Sequence, residues 1–543
     1  MIQALGPIAL ALCASPSVNT APQSPLLAAV PADSIFVASC DDPAALRANL
    51  LSHQFVRLFD GGSGTPYVTA ITDLLLSEPE GGDVLGGLEF AKRFCDSFDG
   101  PIVAFANTSG AGFMTTSTRG GVKLRAALDE MLIGMPEAEI SDRGTHQGFQ
   151  LRSIKPKGRG RGVVIRAEWQ SVTGLFMGEG DVLSAAKDSI QRYISQASSD
   201  IGGQLLNARP LAGATGSRSA IDFMLDISRI AEMSGAQEAS EMGLTEDCWI
   251  YGRVDLGGPT QAEAVLDLRL PDRGPIPAFL NVLKPVMADD LKVIPADALS
   301  LTAIQIDLEL LLETIIEEGG PEAEDSIDQV RQASIGATGR DLIDELFLGM
   351  TGYFATYELE PPTNPDDISS VLGGQGVFAL GVHDSEEMLE VLDDLISVGG
   401  VDSMIDFRDY KDIEMWVVDV DGLSPALAFM EGHLLFSMST EYIERAIDHA
   451  MTPGSKSILE SQAGRQLLEY GTGGFFVSYL DTALAAWRTL NRTAMMAELT
   501  PELQFLSNMP QIDLAAVKRE VRGLTISSFI RTAKGLLYRA ESR

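Results

Sequence analysis

Val30-Pro31-Ala32-Asp33-Ser34 returns as Ile294-Pro295-Ala296-Asp297-Ala298, 264 positions later in a chain of 543 residues. A chain that repeats itself is built from one folding unit used twice, which limits the architecture before any chemistry is considered. The register extends beyond the five residues. Gly112-Phe113-Met114-Thr115-Thr116-Ser117 falls on Gly376-Val377-Phe378-Ala379-Leu380-Gly381, and Leu128-Asp129-Glu130-Met131-Leu132 falls on Leu392-Asp393-Asp394-Leu395-Ile396, both at the same offset of 264. Leu175-Phe176-Met177 matches Leu435-Phe436-Ser437 at 260, and Leu225-Asp226 matches Leu480-Asp481 at 255. Offsets that drift in this way are what loop insertions and deletions produce. The expected organisation is a leader and linker over residues 1–25, a first unit over 26–288 and a second over 289–543.

The leader is read from Ile2 to Leu12, a short apolar run without charge, followed by a Pro/Ser/Asn/Thr stretch to Pro25. This is the form of a signal peptide and tether. Ala11-Leu12-Cys13 offers a cleavage site before Ala14; acylation at Cys13 is the lesser alternative, because bulky Leu12 stands where a small residue is wanted. No Lys or Arg precedes the apolar run, a departure from the usual signal. No later stretch supplies about 18 consecutive apolar residues, so no spanning helix is expected after the leader. The protein is expected to be exported, periplasmic or extracellular, with attachment to the envelope only at its beginning.

Forty Lys and Arg against 76 Asp and Glu leave a formal charge of −36. A potential of that sign repels phosphate backbones, so nucleic acid is excluded as an expected partner. Apolar content of 45% is ordinary for a folded chain and argues against general disorder. Past the leader the cysteines are Cys40, Cys95 and Cys248, all in the first unit and with no C-x-x-C spacing. Structural zinc and thioredoxin-like chemistry are disfavoured, and buried inert thiols are expected.

Periodicity gives both halves one order of elements. Each opens with a strand (34–39, 299–306), and in the first copy Asp41-Asp42-Pro43 then reads as a capped helix start. A pair of strands follows (101–107 with 112–118; 352–358 with 376–383), and the second of each pair feeds a helix; Asp384-Ser385-Glu386-Glu387 has the form of a capping box. A three-strand meander comes next, its turns marked by Asp421-Gly422 and Glu431-Gly432 in the second copy. A helix, a strand and a closing hairpin complete the unit, the hairpin clearest in 248–256 with 261–270. The fold class is α+β: two tandem homologous units, each a mainly antiparallel sheet with helices packed on one face.

The Pro-Ala-Asp opening strand running into an Asp-capped helix, the order of strands, helix, meander and helix, and the export leader resemble the bacterial exported family known as domain of unknown function three-three-five-two. The likeness covers the chain from about Leu26 onward. It implies a secreted or envelope protein of uncharacterised role and carries over no catalytic residue.

The search for chemistry excludes more than it finds. The five histidines, His53, His146, His383, His433 and His449, form no H-x-H or H-E-x-x-H, and the chain lacks a G-x-S-x-G elbow, a phosphate-binding loop and a dinucleotide fingerprint. No cofactor or metal is expected. Ser184-Ala185-Ala186-Lys187 has S-x-x-K spacing without its companion motifs and reads as a solvated helix face. Asp419-Val420-Asp421-Gly422 echoes a calcium loop, but Val417 and Ala428 stand where ligands are needed. Adjacent acids such as Asp393-Asp394 point about 100° apart on a helix and cannot flank one bond.

The one basic run is Lys155-Pro156-Lys157-Gly158-Arg159-Gly160-Arg161-Gly162. It reads first as a long hairpin loop; Lys155, Lys157, Arg159 and Arg161 are also the candidate grip for a polyanion. The expected function is non-catalytic binding or scaffolding, with an envelope protein, glycan or lipid as partner. The alternative is an extracytoplasmic hydrolase whose site is assembled from scattered acids and His383 or His433.

Overall fold

Strand formation follows the apolar segments. The structure, a computed structural model, describes residues 25–542 other than 67, 70–71, 73–91, 118–121, 134–138, 156–161, 197–200, 202–203, 206–219, 236, 245–246, 273, 360–375, 401–403, 420–423, 472 and 488–511. The expected leader therefore lies outside the described residues up to 24. The chain is α+β, and the ladders described between its strands are antiparallel. It divides into two compact units, one of residues up to Leu270 with Ala486–Gly523 and Glu541–Arg543, the other of Pro271–Ala485 with Leu524–Ala540.

In the first unit the strands are β1 (Phe36–Cys40), β2 (Ile102–Asn107), β3 (Gly110–Thr116), β4 (Glu139–His146), β5 (Phe149–Lys155), β6 (Val163–Trp169), β7 (Val172–Gly178), β8 (Ile221–Asp226), β9 (Trp249–Asp255) and β10 (Ala262–Arg269). Their ladders give the order β10-β9-β8-β1-β2-β3-β7-β6-β5-β4. One core gathers Leu46 of the helix Pro43–Ser52 and Leu124 and Leu128 of the helix Val122–Ile133 against Cys40, Ile102, Leu175 and Ile221. Asp42 caps the first of these helices by accepting from the Ala45 amide at 2.9 Å, with Pro43 in the first turn, as the sequence suggests.

The second unit contains β11 (Ser300–Gln305), β12 (Met350–Glu358), β13 (Gly376–Val382), β14 (Ile405–Tyr410), β15 (Ile413–Val418), β16 (Ala426–Met430), β17 (His433–Ser437), β18 (Gly474–Asp481), β19 (Leu524–Thr532) and most of β20 (Gly535–Ser542). Their order is β20-β19-β18-β11-β12-β13-β17-β16-β15-β14. Strand for strand this is the order of the first unit. The registers agree as well: Val37 pairs with Phe105 and Met224, and Leu301 pairs with Tyr357 and Tyr479.

Two expectations are corrected. The meander has four strands in each unit, because β4 and β14 precede the three that were expected. β4 is almost wholly exposed and carries Glu, Ser, Asp, Arg and Thr, so it shows none of the apolar alternation that marks a strand. Helices do not pack on one face alone. In the second unit, Tyr442, Ile443 and Ile447 of the helix Thr440–Met451 join Ala379 and Leu435 in one core, while Met388 of the helix Ser385–Gly399 joins Val382 and Leu434 in another. Neighbours on β17, Leu434 and Leu435, point to opposite faces, and both are buried. Leu434-Leu435-Phe436 is a continuous apolar run, the pattern of a strand covered on both sides.

The compact units also differ from the sequence halves at their ends. Residues 283–286 hydrogen-bond into the second unit, Lys284 N to Gln305 O at 3.1 Å and Val286 N to Gly474 O at 2.9 Å. In the first unit, Arg522 N donates to Gln54 Oε1 at 2.9 Å, so chain from between β18 and β19 belongs there.

Candidate functional site

A cleft of about 550 Å³ opens at one end of the second unit's sheet, where β11 stops, β12 starts, β13 stops and β16 turns into β17. Two backbone features shape it. Glu431 and Gly432 both have positive φ, 51° and 76°, the two-residue primed turn whose twist suits a tight hairpin. On the neighbouring ladder the register breaks: Met350 pairs with Val382 and Phe354 with Leu380, so Thr351, Gly352 and Tyr353 together oppose Gly381. Such bulges re-aim side chains at the ends of sheets. Gly352 makes this one feasible, with φ at 77° and no room for a Cβ, which would lie 1.8 Å from Ile306 O. Gly381 is equally constrained, since a Cβ there would meet Thr351 Oγ1 at 2.2 Å and Tyr353 Cβ at 3.2 Å.

The polar lining is fixed by local hydrogen bonds. Gln305 Nε2 donates to Thr351 O at 3.0 Å, and one Asp290 oxygen accepts from Met287 N at 3.1 Å. Lys284 pairs with Asp307 at 3.2 Å. His433 Nδ1 lies 3.0 Å from the Glu431 carbonyl oxygen. A carbonyl only accepts, so Nδ1 is the donor in this contact.

Below the lining stands Tyr353, 1% exposed and edge-on to the His433 ring, with centroids 5.6 Å apart. The Tyr353 hydroxyl has no hydrogen-bond partner, and burial, with Asp290 adding to it, pushes its ionisation well above the usual tyrosine range.

Of the residues singled out in the sequence, His433 and the turn residues Glu431 and Gly432 line this cleft. His383 is exposed, its backbone amide bonded to Gly349 O at 2.9 Å. Lys155 is exposed at the end of β5, opposite Glu139 on β4, while Lys157, Arg159 and Arg161 lie outside the described residues. Ser184 sits in the exposed first turn of the helix Val182–Ser195, its amide donating to the cap Asp181 at 3.0 Å. The paired acids of the repeated helix anchor arginines: Glu130 pairs with Arg93 at 2.9 Å, and Asp394 pairs with Arg340 at 2.5 Å. Asp419 pairs with Arg408 at 3.3 Å, and Val420, Asp421 and Gly422 lie outside the described residues. Among the described residues no cluster of three or more His, Cys, Asp or Glu side chains is placed to hold a metal.

A second polar cluster is buried in the first unit. Asp222 on β8 opposes Arg253 on β9, with Asp222 Oδ1 accepting from Arg253 at 3.0 Å and from the Tyr251 hydroxyl at 2.7 Å. Sequence reasoning missed this cluster and also Lys284, Gln305 and Tyr353, and read Asp290 only as surface charge. The available signals were a charged residue inside each of two apolar strands and the Glu431-Gly432 dipeptide.

No family model matches this chain, and no curated protein matches it. Two solved structures, crystal forms III and I of TP0453, each align at 9% identity over 50% of this chain and 91% of that chain, with a TM-score of 0.25. At that TM-score the two chains share too little of a fold to lend an argument. No helix among the described residues is long and apolar enough to cross a membrane.

Proposed function

We propose that this chain is an exported cell-envelope protein that binds or scaffolds without catalysis, made of two diverged copies of one α+β unit spanning 26–288 and 289–543. The duplication is supported by the two ten-strand orders, which agree strand for strand, and by the shared register at Val37 and Leu301. Its partner is an envelope protein, a glycan or a lipid, and the charge of −36 disfavours nucleic acid. The proposed kinship with the exported family of unknown function fits this role.

The observation that carries the binding reading is the state of the cleft's groups. Lys284 is paired with Asp307, Asp290 holds the turn at Met287, and the contacts of the His433 ring are the Glu431 carbonyl and the edge of Tyr353. An open cleft lined by groups held in place offers recognition, whereas general base catalysis by His433 would call for a substrate proton within reach of Nε2.

The test is cell fractionation combined with photo-crosslinking from position 287, where Met287 is exposed on the cleft rim. The expected result is protein in the extracytoplasmic fraction carrying a discrete adduct to one envelope component. Cytosolic protein, or hydrolysis of an ester or peptide panel that His433→Ala abolishes, would overturn the reading.

A further inference from the structure

β14 closes the second unit's strand order, and β4 holds the same place in the first. Among the described residues each ladders to one neighbour only, β14 to β15 and β4 to β5. A strand with one side unpaired offers its row of amides and carbonyls to another strand. The two edges differ. β4 loses register between Asp142 and Thr145, with Gly144 at a φ of 78°, and such a bulge blunts an edge. β14 runs unbroken from Ile405 opposite Val418 to Tyr410 opposite Ile413, and none of its six residues is buried. Phe407 near its middle is 49% exposed and stands edge-on to Trp416, with ring centroids 5.6 Å apart.

The sequence of β14 also complements itself. Antiparallel pairing with a copy about a two-fold axis at Phe407 sets Asp406 of each strand opposite Arg408 of the other, and the two Phe407 rings opposite each other. Directly opposed residues share a face, where opposite charges and aromatic pairs stabilise and like charges repel. Moving the axis to Asp406, Arg408 or Asp409 puts two like charges opposite each other. Within one chain Arg408 gives Nε to Asp406 at 2.7 Å and Nη2 to Asp419 at 3.3 Å, and a guanidinium has five N–H donors, which leaves donors for Asp406 of the copy. We infer that β14 is a dimer seam: two copies of this chain join their second-unit sheets edge to edge through Ile405–Tyr410, with the two-fold axis at Phe407. A contact of this kind is the same patch on both partners and closes on itself. It is independent of the envelope partner proposed above.

Sedimentation velocity of the full chain over a concentration series tests it. The parent should pass from monomer to dimer as concentration rises. Asp406→Arg or Arg408→Asp alone sets like charges opposite each other and should weaken dimerisation about tenfold or more. Mixing the two variants should restore a dimer containing one of each, because both opposed charge pairs are then of opposite sign. A folding defect in either variant would not produce that rescue. Phe407→Cys should give a covalent dimer on mild oxidation, since directly opposed residues have Cα atoms about 4.5–5.5 Å apart, within disulfide reach. Asp409→Cys, which this register displaces from its copy, and the parent with its own cysteines should give none. A parent that stays monomeric throughout the series would assign the charges of β14 to guarding the edge and overturn the inference. So would a dimer indifferent to both charge variants, or oxidation that links position 407 no better than position 409.

Discussion

Gln54 and Arg522 exchange two hydrogen bonds across 468 positions, Gln54 Nε2 donating to Arg522 O and Arg522 N donating to Gln54 Oε1, each at 2.9 Å. An amide side chain that copies the pairing of a strand edge fixes one stretch of backbone against another. Glu520 repeats the tie by accepting from Ser63 N at 2.8 Å. Gln54→Leu removes both partners of Arg522 and should cost about 1–3 kcal/mol. Denaturant unfolding gives the loss, and protease cleavage near residue 520 should accelerate first. An unchanged midpoint would show that the contact adds nothing.

The Asp222 and Arg253 pair is buried, at 2% and 4% exposure, where the second unit has Val477 opposite Ser528. Removing Asp222 leaves Arg253 its longer contact to Asp255 at 3.9 Å, whereas removing Arg253 takes the counter-charge from both carboxylates, so Arg253→Met should cost about 3–5 kcal/mol and Asp222→Val less. The double variant should fall short of the summed losses by about 1–3 kcal/mol, read from urea midpoints. Strict additivity would show that the two side chains do not act as a pair.

Asp307 caps the start of the helical segment Leu308–Thr338, which breaks at Gly320, by accepting from Leu310 N at 3.0 Å, and that bond, followed by Lys284, holds its carboxyl below the usual range. A depressed folded pKa gives stability that is present above the unfolded value, about 3.9, and is lost as pH falls through the folded one. Asp307→Ala should lower stability by about 1 kcal/mol near neutrality and by less at about pH 3, where the parent has lost part of the same contribution. Equal losses at both values would contradict the ionised cap.

Gly381→Ala places a methyl where Thr351 and Tyr353 already stand. Overpacking of this kind costs about 1–3 kcal/mol. A variant as stable as the parent would show that the bulge has room to give.

Cys40 and Cys248 are buried, and burial pushes the ionisation of both thiols to higher pH. Reaction with a disulfide reagent should be slow in the native protein and complete on unfolding. Fast native labelling of either would contradict the packing.

Much of the fold was legible because its signals are local. Asp42-Pro43 and Asp384 mark helix starts whose caps form, and Glu431-Gly432 marks a turn that closes as expected. Burial on both sheet faces was missed, although Leu434-Leu435-Phe436 already lacks the alternation of a one-sided strand. The cleft was less legible. Lys284, Asp290, Tyr353 and His433 are scattered over 150 positions and come together only through a bulge that Gly352 permits. No local pattern announces a register break between distant strands.

The most direct measurement is an experimental structure at a resolution that fixes strand register, with the first unit superposed on the second. The expected result is Val37 on Leu301, Phe105 on Tyr357 and Met224 on Tyr479, with all ten strands following in the same order. A different wiring, or a register shift that separates those pairs, would contradict descent of both units from one module.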